Sequence, residues 1–135
     1  MIEQEAITIL SVDDSPEMGR LLHRLFDQES DMKSLGSLLS ADELVAEVQR
    51  LMPRVVLLDL GMPGRDPLDA VREISASCRA TRIIVLSGHS DPAVAQSAME
   101  CGASAFMVKG CDVDAILHTV RKVAGSGCQP AALAS

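Results

Sequence analysis

Apolar and polar positions along this chain follow two rhythms. Unbroken apolar runs such as Val55-Val56-Leu57-Leu58 and Ile83-Ile84-Val85-Leu86 lack polar alternation, the pattern of strands covered on both faces of a parallel sheet. Between the runs, apolar residues recur every three or four positions, which is the helical period. Met18, Leu21, Leu22, Leu25 and Phe26 share one helix face, and Leu68, Val71, Ile74 and Cys78 share another. Val113, Ile116, Leu117, Val120 and Val123 line a third. Strands alternating with helices predict βαβ units, and therefore an α/β fold around a parallel sheet.

Five such units fit the chain. The first strand spans Ile7 to Val12, and Ser15-Pro16 opens the helix after it with an N-cap hydroxyl and a proline at the first helical position. A second strand from Met32 to Leu39 contains Lys33 and Gly36, which suits an edge. Ser40-Ala41-Asp42-Glu43 reads as a capping box for a helix running to about Leu51, and Pro53 breaks the chain before the third strand. Asp66-Pro67 and Asp91-Pro92 start the next two helices, and Gly102 fits the left-handed position that ends the second of them. Ala103 to Val108 is the fifth strand, and Gly125 is expected to stop the last helix. The predicted domain therefore covers 6–124, with 125–135 as a short tail or the start of a linker that leaves no room for an output domain.

Composition narrows the function classes. With 12 basic against 19 acidic residues the net charge is −7, so no surplus of cations remains to neutralise phosphates, and binding to nucleic acid or an anionic membrane by this chain alone is not expected. Phe26 and Phe106 are the only aromatics besides histidine, too few for a base-stacking platform. Cys78, Cys101, Cys111 and Cys128 lack zinc-ligand spacing and read as reduced thiols. Neither a signal peptide nor a membrane span is read from the apolar runs, and a cytoplasmic protein is expected.

The polar residues that interrupt the pattern carry the chemistry. Asp13 and Asp14 follow the first strand, Asp59 ends the third, Ser87 follows the fourth and Lys109 the fifth. All stand at carboxyl ends. In a doubly wound sheet of order 2-1-3-4-5, the flavodoxin-like (βα)5 arrangement, these positions converge on the crevice where such folds bind ligands. Carboxylates about 4 Å apart repel by roughly 4 kcal/mol at an effective dielectric near 20. Protonation is one remedy; a hard divalent cation such as Mg²⁺, bound by oxygen and water, is the better one. Carboxylates, a hydroxyl and an ammonium together can hold a phosphoryl group.

With those residues in that strand context, the chain resembles the receiver domain of two-component response regulators. The resemblance implies that Asp59 accepts a phosphoryl group from a histidine kinase or phosphotransfer protein. It also implies that Asp14, Asp59 and the carbonyl of Gly61 hold Mg²⁺, with Asp13 acting through water. Ser87 would follow the phosphoryl group, Lys109 would pair with it, and Phe106 would be the aromatic switch. Asp59-Leu60-Gly61-Met62-Pro63-Gly64 would be the acceptor loop, and Gly61 and His89 would tune hydrolysis. Gly110 stands where many receivers have proline, and Pro67 where glycine is usual.

The expected role is a phospho-accepting signalling protein rather than an enzyme acting on external substrates. Output would pass to a downstream protein through the face formed by helix four, strand five and helix five. Pro92 to Met99 carries no charge, with Ala93, Gln96 and Ser97 predicted to face outward, which suits a partner or homodimer contact. Two alternatives are the receiver part of a DNA-binding regulator and a pseudo-receiver that never takes phosphate. Taken singly, each residue has a plainer reading: Asp-Asp as a helix-dipole feature, Ser87-Gly88 as a turn, Lys109 as a surface lysine, Phe106 as core.

Overall fold

A computed structural model describes residues 6–62 and 66–126. The elements are β1 (Ile7–Val12), α1 (Pro16–Asp27), β2 (Met32–Leu38), α2 (Leu44–Leu51), β3 (Val55–Asp59), α3 (Pro67–Ser77), β4 (Arg82–Ser87), α4 (Pro92–Cys101), β5 (Ala105–Val108) and α5 (Val113–Ser126). All strand pairs are parallel and the sheet order is β2-β1-β3-β4-β5, the doubly wound order expected.

Successive strand residues point to opposite faces, so the all-apolar runs feed two cores at once. Leu10, Val12, Val56, Leu58, Ile83 and Val85 meet Leu44, Val48, Val71, Ile74 and Ala98 from α2, α3 and α4. Ile9, Val55, Leu57 and Ile84 meet Leu22, Phe26, Leu117 and Val120 from α1 and α5 on the other side. The register then aligns the strand ends: Val12 pairs with Leu58, Asp59 with Leu86 and Ser87 with Val108. Residues far apart in sequence therefore leave the sheet along a single rim.

Several boundaries differ from the sequence reading: β2 ends at Leu38 and β4 takes in Ser87, and three further differences have a visible cause. No capping box forms at Ser40: its hydroxyl accepts from the Asp42 amide instead, and α2 begins at Leu44 with Glu43 making no side-chain cap. The reason is Ala41, which is fully buried and anchors a turn closed by the Leu44 amide donating to the Ala41 carbonyl. β5 begins at Ala105, because the Ala103 amide still donates to Ala98 in the exit turn of α4. α5 passes through Gly125 to Ser126, its last turn held by the Arg54 guanidinium, which donates to the Ala124 carbonyl at 3.1 Å.

The edge assignment of β2 has a concrete cause. Its register with β1 slips between Ser34 and Gly36, and Gly36 takes φ 114°, a left-handed conformation suited to glycine. Gly102, at φ 118°, ends α4 as expected, and a Cβ there would strike the Ser75 hydroxyl of α3. Pro63, Gly64, Cys128 and the predicted tail beyond Ser126 lie outside the described residues.

Candidate functional site

Asp13, Asp14 and Asp59 come together at the strand-end rim, with one carboxylate oxygen of each within 4.8 Å of the others. Asp13 and Asp59 are buried, only 2% and 3% exposed, whereas Asp14 faces solvent. Lys109 reaches into this group from the end of β5, its ammonium 2.9 Å from Asp59 and 3.3 Å from Asp13. Backbone bonds set these reaches: the Lys109 amide donates to the Ser87 carbonyl at 2.8 Å, and the Asp13 amide to Leu38 at 3.0 Å.

Each carboxylate is also oriented locally. Asp59 Oδ1 accepts the Gly61 amide at 3.0 Å, and Asp13 Oδ1 accepts the Ser15 amide at 2.9 Å. Asp13 Oδ2 is buried and accepts no hydrogen bond, its ionic contact with Lys109 notwithstanding. Burial alone would lower the Lys109 pKa, but the hydrogen bond and charge of Asp59, followed by Asp13, outweigh it and hold the ammonium above its ordinary value.

Beside this cluster opens a crevice of about 510 Å³ lined by Asp14, Asp59, Gly61, Ser87, His89 and Lys109. Ser87 is buried, and its hydroxyl accepts the His89 amide at 3.2 Å, holding the loop after β4 at the crevice wall. Phe106 is half-buried against the core shared with α3 and α4 and does not line the crevice. Asp66, Pro67 and Val94 also line it, a role the sequence reading missed because the first two read only as a helix start. A negatively charged, all-oxygen donor set, one of whose buried oxygens accepts no hydrogen bond and has only the 3.3 Å ionic contact with Lys109, fits a hard divalent cation such as Mg²⁺.

A doubly wound parallel sheet with an acidic crevice at its switch point and a strand-end lysine against a buried carboxylate is the arrangement of a receiver-type domain. The family comparison agrees: residues 9–121 match the response regulator receiver domain, and the chain belongs to that family. Among curated relatives, the response regulator UvrY of Escherichia coli is 27% identical over 117 residues, covering 87% of this chain and 54% of that protein. A protein-glutamate methylesterase/protein-glutamine glutaminase of Paramagnetospirillum magneticum is 35% identical over 103 residues, covering 76% of this chain and 29% of that one. The chain thus spans about half the length, or less, of such relatives.

Solved structures give the same fold. The response regulator domain of Thermotoga maritima CheB superposes with a TM-score of 0.81 at 26% identity, covering 90% of this chain and 98% of that one. A two-component response regulator of the LuxR family from Aurantimonas gives 0.84 at 25% identity, covering 90% and 87%. Among the described residues, no helix is long and apolar enough to cross a membrane.

Proposed function

We propose that this receiver takes a phosphoryl group onto Asp59 from the phosphohistidine of a kinase or phosphotransfer protein and signals by a change at the α4-β5-α5 face. The observation that carries this reading is the buried Asp59 carboxylate, hydrogen-bonded by Gly61 and paired with Lys109 at 2.9 Å on an open crevice. In the transfer, an Asp59 oxygen forms a bond to phosphorus as the phosphorus–nitrogen bond breaks. The electron pair leaves with the imidazole, and the product is an acyl phosphate. The Gly61 amide orients the nucleophile, and Lys109 holds negative charge on the transferring oxygens.

Asp14, Asp59 and the Gly61 carbonyl would hold Mg²⁺, with Asp13 acting through water, and the ion supplies charge neutralisation at the phosphoryl oxygens. Once Asp59 carries phosphate, Ser87 at the crevice wall turns its hydroxyl from the His89 amide toward the new oxygens. The β4-α4 loop shifts with it, and the space vacated lets Phe106 turn further inward from its half-buried position. α4 presents exposed, uncharged Ala93, Gln96 and Ser97, which supports a contact with a downstream protein or a second copy. We place the exchange in the cytoplasm, a reading supported by the unpaired thiols of Cys78, Cys101 and Cys111.

The deciding experiment is incubation with acetyl phosphate and Mg²⁺ followed by intact-mass measurement. Wild type gains one labile phosphoryl group and Asp59→Asn gains none. A phosphoryl group persisting in Asp59→Asn would overturn the assignment.

A further inference from the structure

A second cavity, of about 500 Å³, opens between α1 and the edge strand β2 and shares no lining residue with the crevice. We infer that it binds a small organic phosphate, a phosphoryl oxyanion carried on an apolar or planar body. The cavity is built by two glycines. A Cβ on Gly19 would lie 2.6 Å from the Ser37 hydroxyl, so a larger residue there would force the Ser37 side chain to turn away. Gly36, turned to φ 114° by the slip in register, has no heavy atom within 4 Å of the place a Cβ would occupy.

Charge selects the ligand. Arg20 and Arg24 stand one helical turn apart, exposed at the cavity, and among the described residues neither guanidinium has an ion-pair or hydrogen-bond partner. The acid in the lining, Asp27, is already engaged: Oδ1 accepts the Ser34 amide at 2.9 Å and Oδ2 meets His23 Nε2 at 3.3 Å. In a chain of net charge −7, this leaves the cavity with a surplus of positive charge, two guanidinium groups against the single Asp27 carboxylate. A guanidinium fork matches phosphate oxygens, Ser37 and Gln28 add neutral donors, and the two glycines with the aliphatic stems of the arginines leave a surface for the body of the ligand. The volume lies in the range that encloses small ligands.

The test uses adenosine monophosphate as probe, followed by amide chemical shifts of the ¹⁵N-labelled protein in chelator. The expected result is saturable shifts at Gly19, Gly36 and Ser37, about tenfold weaker binding in Arg24→Ala, and loss of binding in Arg20→Ala/Arg24→Ala. Both arginines are exposed, so unchanged melting temperatures will show that the variants remain folded. Adenosine, lacking the phosphoryl group, and inorganic phosphate, lacking the body, should each bind more weakly than the nucleotide. Equal binding of adenosine or phosphate, shifts confined to Gly61 and Lys109, no shifts at millimolar nucleotide, or undiminished affinity in the double variant would each overturn the inference.

Discussion

Lys109→Met removes the cation from the acidic cluster while keeping an extended side chain. The ammonium it deletes lies 3.3 Å from Asp13 and 2.9 Å from Asp59. The remaining carboxylates lie within 4.8 Å of one another, where unit charges repel by about 3.5 kcal/mol at an effective dielectric near 20. Removing one partner of a buried pair costs about 3–5 kcal/mol, because the other charge stays buried. The Lys109 side chain keeps 33% of its surface in solvent. Screening there lowers the expected loss to about 2–3 kcal/mol.

Urea unfolding followed by circular dichroism, in chelator and in millimolar Mg²⁺, measures the effect. In chelator Lys109→Met should lose that amount; in Mg²⁺ it should regain more than half, because Lys109 no longer competes with the ion for the same oxygens. The pH dependence has a definite sign. Asp59 and Asp13 raise the Lys109 pKa above its ordinary 10.5, so its contribution is complete below that value and disappears as pH rises through the folded-state pKa. Wild type should therefore show an alkaline loss of stability that Lys109→Met lacks. A deficit below about 0.5 kcal/mol in chelator, or an equal deficit in Mg²⁺, would refute the charge-balance reasoning.

Further outcomes follow from the same geometry. Gly61→Asn should lengthen the life of phospho-Asp59: a Cβ there would rest 3.6 Å from Asp59 Oδ1, an ordinary contact, and the amide beyond it would obstruct water. Identical decay of the phosphorylated mass in the two proteins would rule this out. Arg121→Ala should cost about 1 kcal/mol in urea unfolding at neutral pH, since the guanidinium clamps Asp31 at 2.8 Å and Glu29 at 2.7 Å. The hydrogen bond from Arg121, acting against slight burial, lowers the Asp31 pKa from 3.8. That contribution is complete above the ordinary value and disappears as pH falls through the lowered one, so the variant's deficit should vanish in strong acid. Light scattering with the phosphate mimic beryllofluoride should show a dimer through the uncharged α4 surface, and monomers in both states would exclude that contact.

How much was legible in the sequence depended on the range of the forces involved. Strand runs such as Val55 to Leu58 are buried on both faces, so hydrophobicity alone located them, and their strand-end acids followed. Ser15, Asp66 and Asp91 were readable as caps because each bonds an amide two or three residues ahead. Ser40 misled because a turn hydroxyl and a helix cap look alike until Ala41 is known to be buried. The Arg54 bond to Ala124 joins positions 70 residues apart, and the α1-β2 cavity depends on a register slip; neither leaves a periodic trace. Lys109 was placed at the site by strand order, but its contact with both Asp13 and Asp59 required the register.

The two cavities are nearly equal in volume yet opposite in charge, and this separates their chemistry. Among the described residues, Asp13, Asp14 and Asp59 face the single ammonium of Lys109 at the crevice, so an incoming phosphoryl group meets a net negative field there. On this reading the crevice becomes an anion site only when a divalent cation reverses that balance, and phosphorylation of Asp59 requires Mg²⁺ for electrostatic reasons before any catalytic ones. The α1-β2 cavity has its cations in the chain itself, in Arg20 and Arg24, and needs no ion. Chelation therefore distinguishes the two: it should abolish transfer to Asp59 while leaving nucleotide binding beside α1 intact.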